Sequence, residues 1–419
     1  LGLEPVEFVV EHPADPSHGD YATNVALVCS KRAGEAPRPF AERMAAALAG
    51  TIDHVASIDV AGPGFINFTL DRSYFAEQIA HARGAGERWG MTELWAGKTV
   101  LVEYTDPNPF KEFHIGHLFT NCVGESIARL FMMNGANTKR VNYQGDVGMH
   151  VACAIYGMQQ LGITTDSEFS AADLGRAYAL GATAYKEDEA AAEPIRTLNK
   201  QVYECSDDAV NALYDRGREV SLAYFETIYE VLGTKFDAYF FESEAGPRGK
   251  AIVLNNPDVF PESDGARVFR GEEHGLHTRV FLNREGLPTY EAKELALPQL
   301  KEERCGVYDH SVVSTANEIT EYFKVLLKAM EFTAPELAAK TEHVGHGTVR
   351  LASGKMSSRT GDVIPALAFI DEVAESAKEK MRAVANDEGS TSENDALARA
   401  IAIAAIKYTT LRSNILQDT

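Results

Sequence analysis

The sequence has few cysteines, and none of them are spaced as a zinc site would require. Five cysteines are scattered over 419 residues, without a C-x-x-C pair. An odd, scattered set argues against a disulfide framework and against structural zinc. We therefore expect no zinc and a reducing compartment.

Long apolar runs are also missing. No window approaches the roughly 18 consecutive apolar residues of a membrane-spanning helix. The first residues carry Glu, Asp and His where a secretory signal would carry a basic and then an apolar block. With 45% hydrophobic residues, the chain has enough apolar material for two or three packed domains. These features predict a soluble, cytoplasmic protein that does not bind a membrane.

Basic residues are in the minority. The chain has 61 acidic and 40 basic residues, a net charge of −21, whereas nucleic-acid binders usually show a basic surface. This balance lowers the expectation of a nucleic-acid partner. It does not exclude one, because a groove lined by a few Lys and Arg can bind phosphates on an acidic molecule.

The first part of the chain mixes strand-like and helical segments. Residues 6–10 and 66–70 have the pattern of strands, and residues 21–31 have the pattern of a helix. We expect a small α+β domain over residues 1–93.

Alternating strand and helix patterns follow. Residues 100–104 and 139–143 are strand-like, and residues 118–134 between them are helical. This βαβ alternation is typical of a Rossmann-like, doubly wound parallel sheet of the α/β class. We predict that this domain covers residues 94–375, with a helical insertion at about 157–236.

The end of the chain has helical patterns. Residues 376–419 are predicted to begin a third, helical domain that is truncated. The chain begins at Leu1 rather than Met and stops within a helical pattern, so we expect a fragment of a longer protein or an incompletely recovered chain.

Two histidines stand at the first predicted strand-to-helix turn. In "FHIGHLF", His114 and His117 bracket Gly116, and a helix N-terminus at this place offers free N–H groups and a favourable dipole to phosphate. Glycine lets a nucleotide approach the backbone. Taken alone, the pattern fits equally a helix cap followed by an ordinary surface or core residue.

A second candidate loop is "RLASGKMSSRTGDVI". Lys355, Ser357 and Ser358 lie there among small residues, where an ammonium group and hydroxyls could stabilise pyrophosphate as its charge develops. A solvated basic loop is the alternative. Coincidence is a poor explanation when both patterns occur in one chain.

Together these motifs resemble a known family. "HIGH" and "KMSSR" resemble the two signatures of class I aminoacyl-tRNA synthetases. "VEYTDPNPFKEFHIGHL", "RVNYQGDVGMHVA" and "YEAKELAL" resemble the arginyl-tRNA synthetases among them. "GDYATNVALVCSK" and "VAGPGFINF" are similar to that family's tRNA-contacting N-terminal domain. "AIAIAAIKYTTLRSN" is similar to the start of its helical anticodon-binding domain.

The resemblance implies a site for arginine. Tyr290 and Glu294 are spaced i, i+4 and so share one helix face, where a phenol and a carboxylate could hold a guanidinium group. The family more often has Asp at the position of Glu294 and usually Gln at the position of Asn317. The full set of arginine-binding residues implied is Glu103, Asn108, His114, Tyr290, Glu294 and Asn317.

The resemblance also implies a site for ATP, with Mg²⁺ expected on the phosphates and no protein metal ligand. His346 and Val349 are candidates for adenine contacts, and a core strand is an equal alternative for them. The resemblance also implies that "QGDVGMH" lies beside the substrate. The alternative is a simple strand-to-helix turn. Lys111 is a further cation near the phosphates, and the sequence does not decide between it and Lys355. The implied catalytic residues are Lys111, His114, His117 and Lys355, and the implied ATP-binding residues are His114, Gly116, His117, His346, Val349, Lys355, Ser357 and Ser358.

The expected function is ATP-dependent ligation of L-arginine to tRNA(Arg) through an arginyl-adenylate, by a monomer whose partners are arginine, ATP and tRNA. Two alternatives remain open. One is a different class I synthetase, glutamyl or cysteinyl, although cysteinyl enzymes need zinc ligands that are lacking here. The other is a non-catalytic tRNA-binding protein on the same scaffold.

Overall fold

A computed structural model describes residues 6–349, 363–385, 392–412 and 414–418. The chain divides into two compact units, Leu1–Met91 and Thr92–Thr419. Within the described ranges, no helix is long and apolar enough to cross a membrane.

The N-terminal unit is a four-stranded antiparallel sheet covered by helices, with strand order β1-β2-β4-β3. Its core is built from one face of α1 and α2 packed on β4, where Phe40 and Ile66 are buried. The elements are β1 (Val10–Glu11), β2 (Tyr21–Thr23), α1 (Val25–Ala33), α2 (Pro37–Leu48), β3 (Val55–Ala61), β4 (Phe65–Leu70) and α3 (Arg72–Ala85).

The helix predicted over residues 21–31 is partly wrong. Tyr21–Thr23 form β2, because each of these residues pairs with β4, and the helix starts only at Val25. Strand pairing over a distance in sequence overrides the local helical pattern. The strand predicted at residues 6–10 is confined to Val10–Glu11.

The second unit is built on a five-stranded, fully parallel sheet with strand order β12-β11-β5-β6-β7. The chain moves outward from β5 to β7 on one side and returns to the other side for β11 and β12. The order therefore reverses at β5, which is the switch point where ligands bind in doubly wound sheets. The strands are β5 (Thr99–Glu103), β6 (Asn137–Gln144), β7 (Ala238–Phe241), β11 (His310–Ala316) and β12 (Thr341–His346), and a separate antiparallel sheet holds β8 (Glu262–Ser263), β9 (Ala266–Phe269) and β10 (Arg279–Leu282).

Helices flank the sheet, and α6 to α8 form the helical insertion between β6 and β7. Two glycines allow α5 and α6 to pack closely, since a Cβ at Gly157 or Gly181 would lie 1.9 Å from a backbone carbonyl oxygen of the other helix. The helices are α4 (Ile115–Met133), α5 (Met149–Gln160), α6 (Ala171–Glu187), α7 (Glu189–Glu204), α8 (Asp208–Leu232), α9 (Glu242–Asn255), α10 (Tyr290–Cys305), α11 (Thr320–Thr333), α12 (Pro335–Lys340), α13 (Ala366–Ala385) and α14 (Ser392–Leu411).

The predicted α/β class and parallel sheet are thus confirmed. The limits predicted for the three domains stay predictions.

Candidate active site

The histidine pair lies at the switch point, where the loop after β5 enters α4. His114 is the N-cap of α4, and its Nδ1 accepts a hydrogen bond from the Gly116 N–H at 3.1 Å. His117 Nδ1 in turn accepts from the His114 N–H at 3.3 Å. The two rings stack at 3.9 Å between centroids. The sequence "HIGH" therefore folds into a self-capped helix start.

These bonds settle the protonation of the rings. A neutral imidazole that accepts at Nδ1 carries its proton on Nε2, so each ring keeps an N–H donor for a ligand. Burial, with the charge of Lys111, lowers the pKa of His114 to about 4. Burial, then the charges of His114 and Lys111, hold the pKa of His117 well below its usual value. Both rings are consequently neutral donors at neutral pH.

The loop between β5 and His114 has an unusual backbone. Thr105, Asp106 and Phe110 have positive φ angles of 79°, 44° and 67°, a conformation that costs non-glycine residues energy and that clusters at functional sites. Hydrogen bonds hold it in place: Asp106 Oδ1 accepts from the Tyr143 N–H at 2.8 Å, and the Phe110 N–H donates to Ser221 Oγ at 2.9 Å.

Lys111 lies on the same loop, beside the insertion. Its Nζ is 4.7 Å from the centroid of the Tyr178 ring on α6. It borders an open groove of about 580 Å³, whose lining also includes Arg176 and Val363. After burial, the charge of Lys111 is a further cause that lowers the pKa of both motif histidines.

Acidic side chains meet at the carboxyl ends of β5, β6 and β7. Glu103 at the end of β5 forms a buried ion pair with Lys301 at 2.8 Å. Glu242, directly after β7, forms another with Lys293 at 2.5 Å. Asn108 and Glu242 face each other across Gly145, because a Cβ built there would lie 2.3 Å from Asn108 Oδ1 and 3.2 Å from Glu242 Oε1.

Glu294 is a buried acid of this pocket for which the described residues provide no ion pair. The residue is 4% exposed, and its Oε2 has no hydrogen-bond partner among the described residues. The hydroxyls of Tyr143 and Tyr322 are buried and equally unpartnered within the described ranges. Burial, followed by the charge of Glu103, raises the pKa of Glu294 well above its usual value. Such a group costs free energy unless a ligand satisfies it.

Tyr290 lies in the same pocket, one helical turn before Glu294. The residue is 42% exposed, and its ring centroid is 5.2 Å from that of Tyr322. Desolvation, followed by the charges of Glu294 and Glu242, raises the pKa of Tyr290 well above its usual value. Tyr290 and Glu294 thus share a face of α10, as their spacing predicts.

The remaining predicted positions lie along the same edge of the sheet. Asn317 follows β11, and its Cα is 3.3 Å from the position of a Cβ on Gly345 of β12. His346 ends β12 and is 2% exposed, with Nδ1 bonded to the Gly347 carbonyl oxygen at 2.7 Å and Nε2 unpartnered among the described residues. Val349 is half-buried. Lys355, Ser357 and Ser358 lie outside the described residues.

The segment that follows those residues returns to the histidine motif. The Ile115 N–H donates to the Ile364 carbonyl at 3.1 Å, and the Ala366 N–H donates to the Phe113 carbonyl at 2.9 Å. The described chain that follows the second signature, at residues 364–366, therefore pairs with the first signature.

Several pocket residues were missed from the sequence. Glu242 directly follows β7, and residues at the carboxyl ends of the strands are the ones that contact ligands in such a sheet. The others show no local signal, because their roles depend on contacts between distant segments. The missed residues are Asp106, Tyr143, Glu242, Lys293, Lys301 and Tyr322.

A doubly wound parallel sheet with paired imidazoles at its first strand-to-helix turn is the architecture of a class I aminoacyl-tRNA synthetase. Residues 86–419 match the family described as tRNA synthetases class I (R), catalytic domain. Residues 1–70 match the arginyl tRNA synthetase N terminal domain. The chain belongs to the arginyl-tRNA synthetase family.

Relatives and solved structures agree with this assignment. The arginine–tRNA ligase of Clostridium beijerinckii is 31% identical over 427 residues, which cover 100% of this chain and 73% of the relative. That of Clostridium botulinum is 29% identical, with the same coverage. The fold is similar to arginyl-tRNA synthetase from Plasmodium falciparum (TM-score 0.74, 20% identity, covering 98% of this chain and 71% of that one). It is equally similar to the enzyme from Thermus thermophilus (TM-score 0.73, 22% identity, 100% and 74%).

Proposed function

We propose that this chain ligates L-arginine to tRNA(Arg) at the expense of ATP, through an arginyl-adenylate. The observation that carries the proposal is the buried carboxylate of Glu294, close to the hydroxyls of Tyr143 and Tyr322 in the same acidic pocket, all with oxygens that no described residue hydrogen-bonds. A guanidinium group supplies planar, always-charged donors that match carboxylate and phenol oxygens. The pocket therefore provides the carboxylate and phenol oxygens that a guanidinium group needs. A smaller or acidic amino acid has no such group to bind to them.

The charge of the pocket supports the same substrate. Four carboxylates couple electrostatically here, those of Glu103, Asp106, Glu242 and Glu294, while Lys301 and Lys293 pair with only two of them. Arginine brings two cationic groups, the guanidinium and the α-ammonium. Burial, followed by the charge of Glu103, raises the pKa of Asp106 and of Glu294, and the positive charges of bound arginine would oppose this effect.

The contacts around Asn108 favour this part of the pocket as the site for the α-amino and α-carboxylate groups of arginine. Its side chain lies beside Gly145 and Glu242, on the loop that leads to His114. An arginine with its guanidinium at Glu294 could therefore present its carboxylate toward the histidine motif. This arrangement places the reacting group at the N-terminus of α4, where a phosphate is favoured.

The reaction that follows is in-line attack of the arginine carboxylate on the α-phosphorus of ATP, with pyrophosphate leaving. The Nε2–H groups of His114 and His117 would donate to phosphate oxygens as their charge develops, and Lys111 would add a positive charge. ATP would enter as its Mg²⁺ complex. The adenylate is then attacked by a hydroxyl of the terminal adenosine of tRNA, which releases AMP, and no covalent enzyme intermediate is needed.

Lys355, Ser357 and Ser358 complete the ATP site in this proposal. The hydrogen bond between Ile364 and Ile115 supports it, since it keeps the described chain that follows these residues next to the histidines. His346 offers a buried nitrogen for the adenine. We place the enzyme in the cytoplasm and expect a monomer.

Transfer of labelled arginine to tRNA tests the proposal. The protein, tRNA(Arg) transcript, MgATP and radiolabelled arginine should give acid-precipitable arginyl-tRNA, with AMP released in equal amount. Glutamate and cysteine in place of arginine should give none, which separates this function from the other class I synthetases. Binding of the tRNA without any arginine transfer or AMP would contradict the proposal and would favour a non-catalytic tRNA-binding protein.

A further inference from the structure

Asp146, in the turn between β6 and α5, binds two other elements at once. It is fully buried. Its Oδ1 accepts from the Ser243 N–H at 2.8 Å, and its Oδ2 accepts from the Ser243 hydroxyl at 2.7 Å. Oδ2 also accepts from the Tyr214 hydroxyl at 2.9 Å and from Arg218 Nε at 3.1 Å. One carboxylate therefore joins α9 to α8 of the insertion.

The bonds to Ser243 fix the start of α9. The N-cap residue of this helix, Phe241, provides no side-chain cap, so Asp146 takes the place of the missing cap from another part of the chain. Glu242 lies between Phe241 and Ser243 in the chain, and its carboxylate lies beside Gly145 and pairs with Lys293. The position of Glu242 in the pocket thus depends on where Asp146 holds the first turn of α9.

The bonds from α8 connect Asp146 to the helical insertion. Tyr214 and Arg218 are one turn apart on that helix, and the Arg218 guanidinium lies 3.9 Å from the centroid of the Phe241 ring. The insertion therefore contacts the residue before Glu242 as well as Asp146. Removal of the carboxylate would leave Arg218 without its buried partner, which is a costly state for a charge.

The same face of α8 also seats the loop that carries Asn108 and Lys111. Ser221 accepts the Phe110 N–H, and Gly217 leaves room for the Phe110 ring, since a Cβ there would lie 2.2 Å from that ring. Both sides of the pocket, Asn108 and Glu242, are thereby held by one helix of the insertion.

We propose that Asp146 is a positioning residue for arginine, which fixes Glu242 in the pocket by tying the start of α9 to Tyr214 and Arg218 of the insertion. This inference rests on the proposed function, because Glu242 is taken as part of the arginine site. It assigns to the insertion a part in amino-acid binding, although none of the residues involved on α8 is itself in the pocket.

Steady-state kinetics of arginyl-tRNA formation test the proposal with Asp146→Asn and Arg218→Met. Asn keeps the shape but cannot accept all four bonds, so Glu242 shifts and the KM for arginine rises about tenfold, while the KM for ATP changes less than about twofold. Arg218→Met should raise the KM for arginine about threefold. The double variant should lose little more than Asp146→Asn alone, because both changes break the same link.

Arg216→Met is the matched control, since Arg216 lies on the same helix and pairs with the exposed Glu219. It should leave both KM values unchanged. An unchanged KM for arginine in Asp146→Asn would overturn the proposal. So would an equal rise of both KM values together with a lower Tm, because that pattern marks a general loss of structure.

Amide hydrogen exchange gives a readout that does not need activity. In Asp146→Asn, the amides of Ser243 and its neighbours in the first turn of α9 should exchange faster, while those of α14 keep their protection. An unchanged exchange rate at Ser243 would contradict the positioning role. If the wild-type protein transfers no arginine, the proposed function fails, and this measurement still decides whether Asp146 holds α9.

Discussion

Among single residues, Glu294 is the one that we propose selects arginine. A buried carboxylate without a hydrogen-bond partner lowers stability, and such a group is retained where a ligand satisfies it. Where the family more often has Asp, this chain has the longer Glu. The phenols of Tyr143 and Tyr322 beside it offer further oxygens for a guanidinium group.

Replacement of Glu294 by Gln should separate binding from stability. Without the charge, kcat/KM for arginine should fall about 100-fold or more, while the KM for ATP stays within about twofold. Because the folded-state pKa of Glu294 is raised, the ionised group destabilises the fold above the ordinary pKa of a glutamate. The Tm of the variant at pH 8 should thus be equal to or higher than that of the wild type.

Glu303→Gln is the control for that variant, since Glu303 lies on the same helix and pairs with Arg248 at the surface. It should behave as the wild type in all three measurements. Wild-type arginine kinetics in Glu294→Gln would remove Glu294 from the site.

Residue roles could be predicted from the sequence only where a motif carries them. The histidines and the Tyr290–Glu294 pair are read from short patterns, and the structure brings their positions to one edge of the sheet. Lys301 and Lys293 could not be found in this way. Each lies in a helix where lysine is ordinary, and only the fold shows that their ammonium groups are buried against Glu103 and Glu242.

The start of α4 shows how an element can build a site. Its two caps are the two histidines, so the bonds that begin the helix also fix the tautomers and leave both Nε2–H groups as donors. The helix start and the proposed phosphate site are therefore formed by the same residues. A change in the protonation of either ring should affect both.

This coupling predicts a pH dependence of stability. The pKa of His114 falls from 6.5 to about 4 on folding, so the unfolded state binds more protons between these values. The stabilising contribution of His114 to the free energy of unfolding is thus fully present above pH 6.5. It is lost as the pH falls toward 4. In His114→Asn, whose side chain can still cap the helix, the slope of unfolding free energy against pH in this window should decrease by up to about 1.4 kcal/mol per pH unit.

Denaturant unfolding at a series of pH values provides the measurement, with His277→Asn as control because His277 is exposed. The control should keep the wild-type slope. A wild-type slope in His114→Asn would show that the imidazole is not held neutral by the fold.

Element types were predictable where the pattern was long and buried. The central strands and α4 follow directly from apolar runs bounded by proline or polar residues. β2 was not predictable, because its three residues are extended only through pairing with β4. The hairpin of β8 and β9 was missed for a similar reason, since β8 has two residues and both are exposed.

At the scale of the whole molecule, net charge is a poor guide to partners. A charge of −21 lowers the expectation of a nucleic-acid ligand, yet the chain belongs to a family of tRNA ligases. Much of the acidic excess is solvent-exposed, and some of it is concentrated in the pocket proposed for a cationic amino acid. The partners of a protein therefore depend on where its charged residues lie as well as on the sign of its net charge.

The two units match two parts of the family in sequence, and the chain spans 73% of the length of its curated relatives. The doubly wound parallel sheet follows from the alternation of strands and helices, which the sequence shows, whereas the strand order is known from the structure. The pocket does not follow from this alternation, because it is made by side chains from β5, β6, α9 and α10 that meet only in the folded chain.

ATP–pyrophosphate exchange in the presence of tRNA(Arg), with arginine compared with citrulline and lysine, measures directly whether the pocket recognises a guanidinium group. Citrulline has nearly the shape of arginine but no charge, and lysine has the charge without the planar donors. The pocket predicts exchange with arginine and a kcat/KM at least about 100-fold lower for both analogues. Exchange with citrulline at a rate close to that with arginine, or no exchange with arginine, would contradict the account.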